Sequence, residues 1–538
     1  MKQRFIYFSL VVCTLLCLVN CAKRGYPTGG KPDKTPPKMV KSQPEEFSTN
    51  FDEKRIRIYF DEYIKIKDVQ KQLIISPPLK EGGYIIYPQG NASKYIDIQI
   101  LDTLQSNTTY SFNFGQSIVD NNEDNPYDYF KYVFSTGSYI DSLEVSGTIK
   151  DALNRSPERF VSVMLYEIDS TYTDSTIYKK TPTYITNTLD SLTEFKLSNL
   201  RVGTYKMIAL KDVSNNYIFD PNSDKIGYVE QEVTVPTDSF YTITLFKEIP
   251  EFKATRPAQI SKNMIAFGYE GNVDSMKVTV NSEVADNFRF QTTRHPEKDT
   301  LRYWFENLKP DTDSLLFTVS NGNYSKDFTV KLKDIERDSL TLSVNYRGVI
   351  PPNGDFKIAS NTPITAIDES MISIQNKDSI PIKFTTKIDK ENNSLDVLFE
   401  KKENQRYNIQ MLPKTITDFY GEVNDTLNYA LTTKENKEYG NIQLSYPGTE
   451  YPIIIQVVNE KLELIAEQYV TEAQSSYNFP YIDPQFVYFR VVYDTNKNGK
   501  WDTGNYLKNI QPEEVKYFPK KVEVRANWDV IETLTNLK

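Results

Sequence analysis

The chain has 538 residues, 63 Lys and Arg against 72 Asp and Glu, a formal charge of −9, three cysteines and one histidine. One histidine excludes a chain of histidine ligands, and the acidic balance, spread along the sequence, gives no reason to expect nucleic acid. With 37 Tyr and 29 Phe against 21 Gly, and no stretch of sustained 3.6-residue apolar periodicity, the chain reads as all-β.

Lys2 and Arg4 precede an apolar run from Phe5 to Val19, the length of a signal h-region and too short to span a bilayer comfortably. The run closes in Leu18-Val19-Asn20-Cys21, which resembles the lipobox of bacterial lipoproteins, with Asn20 where a small residue is usual. The resemblance implies removal of residues 1–20, a diacylglycerol on Cys21 and a lipid-anchored protein of the outer membrane. An ordinary secretory signal is the plainer alternative. Cys13 and Cys17 leave with the signal, so the processed chain has no disulfide, no Cys/His zinc site and no Cys-His nucleophile. Residues 21–35 are rich in Pro, Gly and Lys and form a flexible tether. Surface-exported lipoproteins of the Bacteroidota carry acidic residues after the cysteine, where this chain has Lys23 and Arg24. That contrast favours the periplasmic face over the cell surface.

From 36 to 138 the strands are short and alternating. Ile56, Ile58 and Phe60 share one face, as do Ile96, Ile98 and Ile100, and again Tyr110, Phe112 and Phe114, with Pro77-Pro78 and Gly82-Gly83 as turns. Phe60-Asp61-Glu62, Thr108-Thr109-Tyr110, Asp120-Asn121-Asn122 and Phe134-Ser135-Thr136-Gly137 resemble the bacterial Ig-like domain of surface-layer proteins (SbsA-type). That resemblance implies a β-sandwich and no chemistry.

Residues 142–250 alternate at Val161, Val163 and Leu165 and continue through Asn199-Leu200 to Gly203-Thr204-Tyr205, an order similar to transthyretin-like, carboxypeptidase-regulatory β-sandwiches. Residues 251–336 predict a further sandwich of uncertain type. Residues 337–435 repeat the first unit: Tyr407, Ile409 and Met411 lead through Ile416 to Asp418 as Tyr110, Phe112 and Phe114 lead through Ile118 to Asp120. Residues 440–533 repeat the transthyretin-like unit, with Ile453, Ile455 and Val457 alternating. The expected architecture is a tandem array of five sandwiches. Laid end to end as a rod, at about 30 Å of strand length each, they reach on the order of 150 Å.

His295 sits in the polar turn Thr293-Arg294-His295-Pro296-Glu297, without a GxSxG elbow to serve, and reads as a loop histidine. Asp61 and Glu62 are strand neighbours that point to opposite faces, which argues against a glycosidase pair. The sharpest site signal is Asp494-Thr495-Asn496-Lys497-Asn498-Gly499-Lys500-Trp501-Asp502. Asp494, Asn496, Asn498 and Asp502 occupy positions 1, 3, 5 and 9 of an EF-hand-like calcium loop with Gly499 at the bend, although Asn505 replaces the bidentate Glu. A weaker copy uses Asp212, Ser214, Asn216 and Asp220, with Tyr217 in place of the glycine. Such loops also hold themselves together through side-chain to backbone hydrogen bonds, without metal. Ca2+ is the one cofactor the sequence suggests, and none is required.

Asp-Ser/Thr followed by an aliphatic residue or Thr recurs at Thr103, Ser142, Ser175, Ser191, Thr300, Ser314, Ser339, Ser379 and Thr426. These triplets resemble the O-glycosylation acceptors of the Bacteroidota; equally, Asp-Ser closes a turn before an apolar strand. The sequence therefore predicts a non-enzymatic, lipid-anchored envelope protein serving structure, adhesion or assembly. Its expected partners are the membrane and other envelope proteins. The alternative is a carbohydrate-binding protein or carboxylate-dependent hydrolase with an aromatic-rimmed groove.

Overall fold

A computed structural model describes residues 33–189, 193–273 and 275–538; Cys21 with its signal, and Ser191, lie outside the described residues. The chain is an all-β array of Ig-like sandwiches, its described helices amounting to single turns such as Val69–Gln72. Among the described residues no helix is long and apolar enough to cross a membrane. The sheets group into two compact units. One holds residues 33–144 with 183–189 and 197–201, and the other holds 145–182, 193–196 and 202–538.

In the first unit, Met39–Gln43, Arg55–Ile66, Ser93–Ile100 and Tyr84–Tyr87 form one sheet in that order, with Ile118–Asp120 also on Arg55–Ile66. Ile74–Ser76, Thr109–Asn113 and Lys131–Ser135 form the other. Alternation decides the packing: Ile56, Ile58 and Ile64 are fully buried, while Arg55, Asp61 and Tyr63 face out. Ile96, Ile98, Phe112, Phe114, Tyr132 and Phe134 complete the core. Each such side chain contributes about 1.5–3 kcal/mol, so the sandwich needs no disulfide. Thr109 and Ser111 are buried as well, and Thr109 Oγ1 donates to Asp141 Oδ2 at 2.8 Å.

Among the described residues the second unit holds four sandwiches and a further two-stranded sheet of Ile364–Ile367 with Ile416–Asp418. In residues 145–250, Ser162–Glu167, Gly203–Lys211 and Lys225–Tyr228 are antiparallel, and Phe240–Leu245 runs parallel to Leu143–Asp151. Residues 440–538 repeat that plan. Leu464–Val470, Ile453–Asn459, Gln485–Tyr493 and Val515–Tyr517 are antiparallel, and Asp529–Thr533 runs parallel to Gly440–Ser445. Between them, Met264–Glu270, Thr300–Glu306 and Arg289–Arg294 face the Lys277–Val280, Ser314–Asn321 and Tyr324–Lys331 sheet across a core of Phe267, Tyr303 and Phe317. The fourth sandwich joins Phe356–Ser360 and Ser394–Phe399 on one side to Arg406–Met411 and Leu427–Thr432 on the other.

Two corrections follow. Ile453, Ile455 and Val457 do not alternate with exposed residues, because Ile454, Gln456 and Val458 are buried too. The opposite strand behaves alike, with Arg490 and Val492 buried on its second face. An antiparallel sheet buried on both faces is one that something covers. Part of that cover is the second sandwich, so the end-to-end rod does not describe this unit. Arg490 Nη1 and Tyr517 Oη both donate to the carbonyl of Leu153, at 3.3 and 2.8 Å. Arg155 donates to the Pro519 carbonyl at 2.6 Å and lies over the Tyr488 ring. The chain returns across more than 300 residues and packs the sandwich of residues 440–538 on that of residues 145–250.

Candidate functional site

The repeat seen in the sequence has a physical basis in one corner. Tyr110 Oη accepts the Gln105 amide at 2.9 Å, and Tyr407 Oη accepts the Lys402 amide at 2.6 Å, each five residues back. Thr136 Oγ1 and Thr433 Oγ1 brace the same turns, accepting from the amides of Thr108 and Gln405. Asp120 and Asp418 then cap the loops that follow, Asp120 through four amides and Asp418 through those of Tyr420 and Glu422. These residues build architecture, not a reaction centre.

The two Asp/Asn-rich loops are also built alike. Residues four and six of each are left-handed: Asn215 and Tyr217 in one, Lys497 and Gly499 in the other. Gly499 takes that conformation freely, whereas Tyr217 holds it at a cost of roughly 1–2 kcal/mol. Asp212 Oδ2 accepts the Tyr217 amide, as Asp494 Oδ2 accepts that of Gly499. A later carboxylate closes each loop. Asp224 accepts the amides of Val213 and Asp220, and Glu513 accepts those of Thr495 and Asp502. Glu513 thus reaches the loop that Asn505 does not, since Asn505 pairs with Ile510 instead.

As arranged, Asp494 Oδ1 and Oδ2 take the Asn498 and Gly499 amides, and the side-chain amides of Asn496 and Asn498 donate to Asp502 Oδ2. The loop therefore stands on its own hydrogen bonds. Trp501 lies against it as a lid, with Nε1 donating to the Glu513 carbonyl at 3.0 Å. Among the described residues no three His, Cys, Asp or Glu side chains gather as a metal-ligand group. In the first loop Asp212 Oδ1 is buried without a hydrogen-bond partner, and burial raises its carboxyl above the usual range.

The segment following the second loop makes the junction with the sandwich of residues 145–250. The Tyr506 amide donates to Glu248 Oε1, Thr503 Oγ1 donates to the Lys247 carbonyl at 2.6 Å, and Gln511 Nε2 donates to the Tyr228 carbonyl at 3.3 Å. The Tyr506 ring meets Tyr228 edge-on at 5.2 Å, and its hydroxyl pairs with that of Tyr172. Gly504 is required here, because a Cβ would lie 2.7 Å from the Phe246 ring. Burial raises the Glu248 carboxyl, opposed by the Tyr506 amide bond. Beside this junction lies a cleft of about 1060 Å3 whose walls include Asp151, Arg155, Glu230, Glu514 and Lys516. Sequence reasoning missed this site. Its legible signal was a polar residue, Gln456 or Arg490, in the middle of a strand otherwise apolar on both faces.

The remaining candidates are dispersed. His295 lies in a hairpin turn, its Nδ1 accepting the Glu297 amide at 3.1 Å. Asp61 accepts the Lys38 amide from the exposed face of its strand, and Glu62 takes the alternate position. Thr103, Ser142, Ser175, Ser339, Ser379 and Thr426 are exposed, whereas Thr300 and Ser314 are half-buried within strands. Several of the preceding aspartates serve turns: Asp102 Oδ1 accepts the Thr103 amide at 2.8 Å.

Residues 33–136 match the family model described as a bacterial Ig-like domain. No curated protein matches the chain. Among solved structures, surface layer protein SbsC, domains 1–6, is similar at 10% identity over 93% of this chain and 68% of that one, with a TM-score of 0.15. The Bacteroides ovatus mixed-linkage glucan utilization locus protein SGBP-B is similar at 12% identity over 64% and 86%, with a TM-score of 0.18. The titin I9–I11 tandem is similar at 11% over 52% and 99%, with a TM-score of 0.12. At these values the sandwich fold rests on the sheets themselves.

Proposed function

We propose that this chain is a non-enzymatic structural or binding module of the bacterial cell envelope, held to the outer membrane by lipid on Cys21. The observation that carries the structural part is the junction centred on Glu248, Arg490, Tyr506 and Tyr517, which joins sandwiches far apart in sequence. A chain that returns on itself through buried hydrogen bonds suits a module that keeps a fixed shape. The bacterial Ig-like match supports an envelope setting, and Lys23 and Arg24 favour the periplasmic face. O-glycans at the exposed triplets suit an exported protein, and Ca2+ on Asp494, Asn496, Asn498 and Asp502 would add a brace to the second loop.

The test is made in native envelopes. Intact mass of the purified protein should show acyl chains on Cys21 and loss of residues 1–20, and Cys21→Ser should release it from the membrane fraction. Gentle crosslinking should capture one dominant envelope partner. An unacylated chain in the soluble fraction would overturn the anchor, and turnover of an envelope glycan by the purified chain would overturn the non-enzymatic assignment.

A further inference from the structure

The outward face of the first sandwich carries a row of aromatic and basic side chains. Along Arg55–Ile66 the outward positions hold Arg55, Arg57, Tyr59, Asp61 and Tyr63, and across the register Tyr59 lies opposite both Lys41 and Tyr95. The Tyr59 and Tyr95 rings stand 5.9 Å apart. Each tyrosine of the row carries a cation: Lys41 over Tyr59 at 5.0 Å, Arg57 over Tyr95 at 5.6 Å and Lys94 over Tyr63 at 5.4 Å. Tyr95 is 42% and Tyr63 55% exposed.

Asp97 fixes the pattern. Only 4% exposed, it accepts Nε and Nη2 of Arg55 at 2.6 Å each and Nε of Arg57 at 3.1 Å. Two guanidiniums are thereby held on one strand pair. The cations of this row are Lys41, Arg55, Arg57 and Lys94; Asp97 is engaged by the two guanidiniums, and Asp61 lies further along the same strand. A groove of about 980 Å3 follows Met39–Gln43, and Arg55, Arg57, Glu45, Glu46 and Glu53 also line it.

We infer that this face binds a linear anionic glycan, a polyuronate in its simplest form. Aromatic rings paired with cations, repeated from strand to strand, match a polymer that repeats a sugar ring and a carboxylate. Aromatic faces take the C–H side of a pyranose, and guanidinium donors take the carboxylate. This inference rests on the first sandwich alone and is independent of the lipid anchor.

The experiment uses the full chain made soluble by Cys21→Ser, run in affinity gels and titrated calorimetrically with polygalacturonate, a neutral β-glucan and poly-glutamate. Polygalacturonate should bind, weaken with added salt and outcompete both other polymers. Tyr95→Ala and Lys94→Gln, both at exposed positions, should each weaken binding about tenfold, the loss of one contact of about 1.4 kcal/mol. Arg57→Gln should do the same, and Tyr139→Ala, elsewhere on this unit, should change nothing. No binding of polygalacturonate, equal binding by the variants, or equal binding of poly-glutamate would overturn the inference.

Discussion

Glu248 is the residue at which the account is most exposed to test. It is 5% exposed and accepts the Tyr506 amide from the other end of the junction. A hydrogen bond to a charged acceptor contributes about 1.5–3 kcal/mol, and a buried amide left without an acceptor costs about 1–3 kcal/mol. Glu248→Ala should therefore weaken docking of the 503–511 segment by about 1–3 kcal/mol, which raises its open population about 5- to 150-fold. Glu248→Gln keeps an acceptor and should cost less than tenfold. Hydrogen exchange of the Tyr506 amide reads the opening directly. The pH dependence has a definite sign. Burial raises the Glu248 carboxyl above its ordinary 4.5, so the docked state binds the proton more tightly than the open one. Its contribution is fullest below 4.5 and declines as pH rises through the raised value. Exchange corrected for intrinsic rate should climb across that window in the native chain and stay flat in Glu248→Gln. Equal Tyr506 protection in native protein and a folded Glu248→Ala would refute the reasoning.

Other outcomes are expected along the chain. Arg55 and Arg57 hold the Asp97 carboxyl below its usual range, Arg55 contributing most, so its stabilisation is present above the ordinary 3.8 and lost as pH falls through the lowered value. Asp97→Asn should lower the melting temperature near neutrality and flatten the acid limb, as scanning calorimetry against pH would show. Tyr110→Phe and Tyr407→Phe should each cost about 1 kcal/mol in denaturant unfolding, the value of one hydrogen bond. Calcium, titrated into the chelator-treated chain, should raise the melting temperature if the second loop takes it, and Asp494→Ala should abolish the rise; no rise in the native chain contradicts the calcium reading.

The strands were legible because one period decides them: Ile56, Ile58 and Phe60 could only be one face of a half-buried sheet. The Tyr407-to-Asp418 copy was legible for a similar reason, since a tyrosine corner and an aspartate cap need particular residues at particular intervals. The junction was not. Gly504, Glu248 and Tyr517 lie in segments with no period, and pairing Leu153 with Tyr517 depends on how whole sandwiches pack, which alternation along one strand does not encode. Ile454 and Val458 carried the missing hint, because apolar residues on a strand's second face ask what covers it. The calcium-like spacing put Asn505 where a carboxylate is wanted; the carboxylate that closes the loop by hydrogen bonds is Glu513, eleven residues beyond Asp502, which a fixed spacing does not encode.

The central claim, that the sandwich of residues 440–538 docks on that of residues 145–250, is tested most directly by a photoreactive benzoylphenylalanine at Gln511, whose side chain reaches the Tyr228 carbonyl. Irradiated at high dilution and digested, the full chain should yield an intramolecular crosslink to the peptide containing Tyr228. Crosslinks confined to peptides within 440–538, or found only between molecules, would contradict the account.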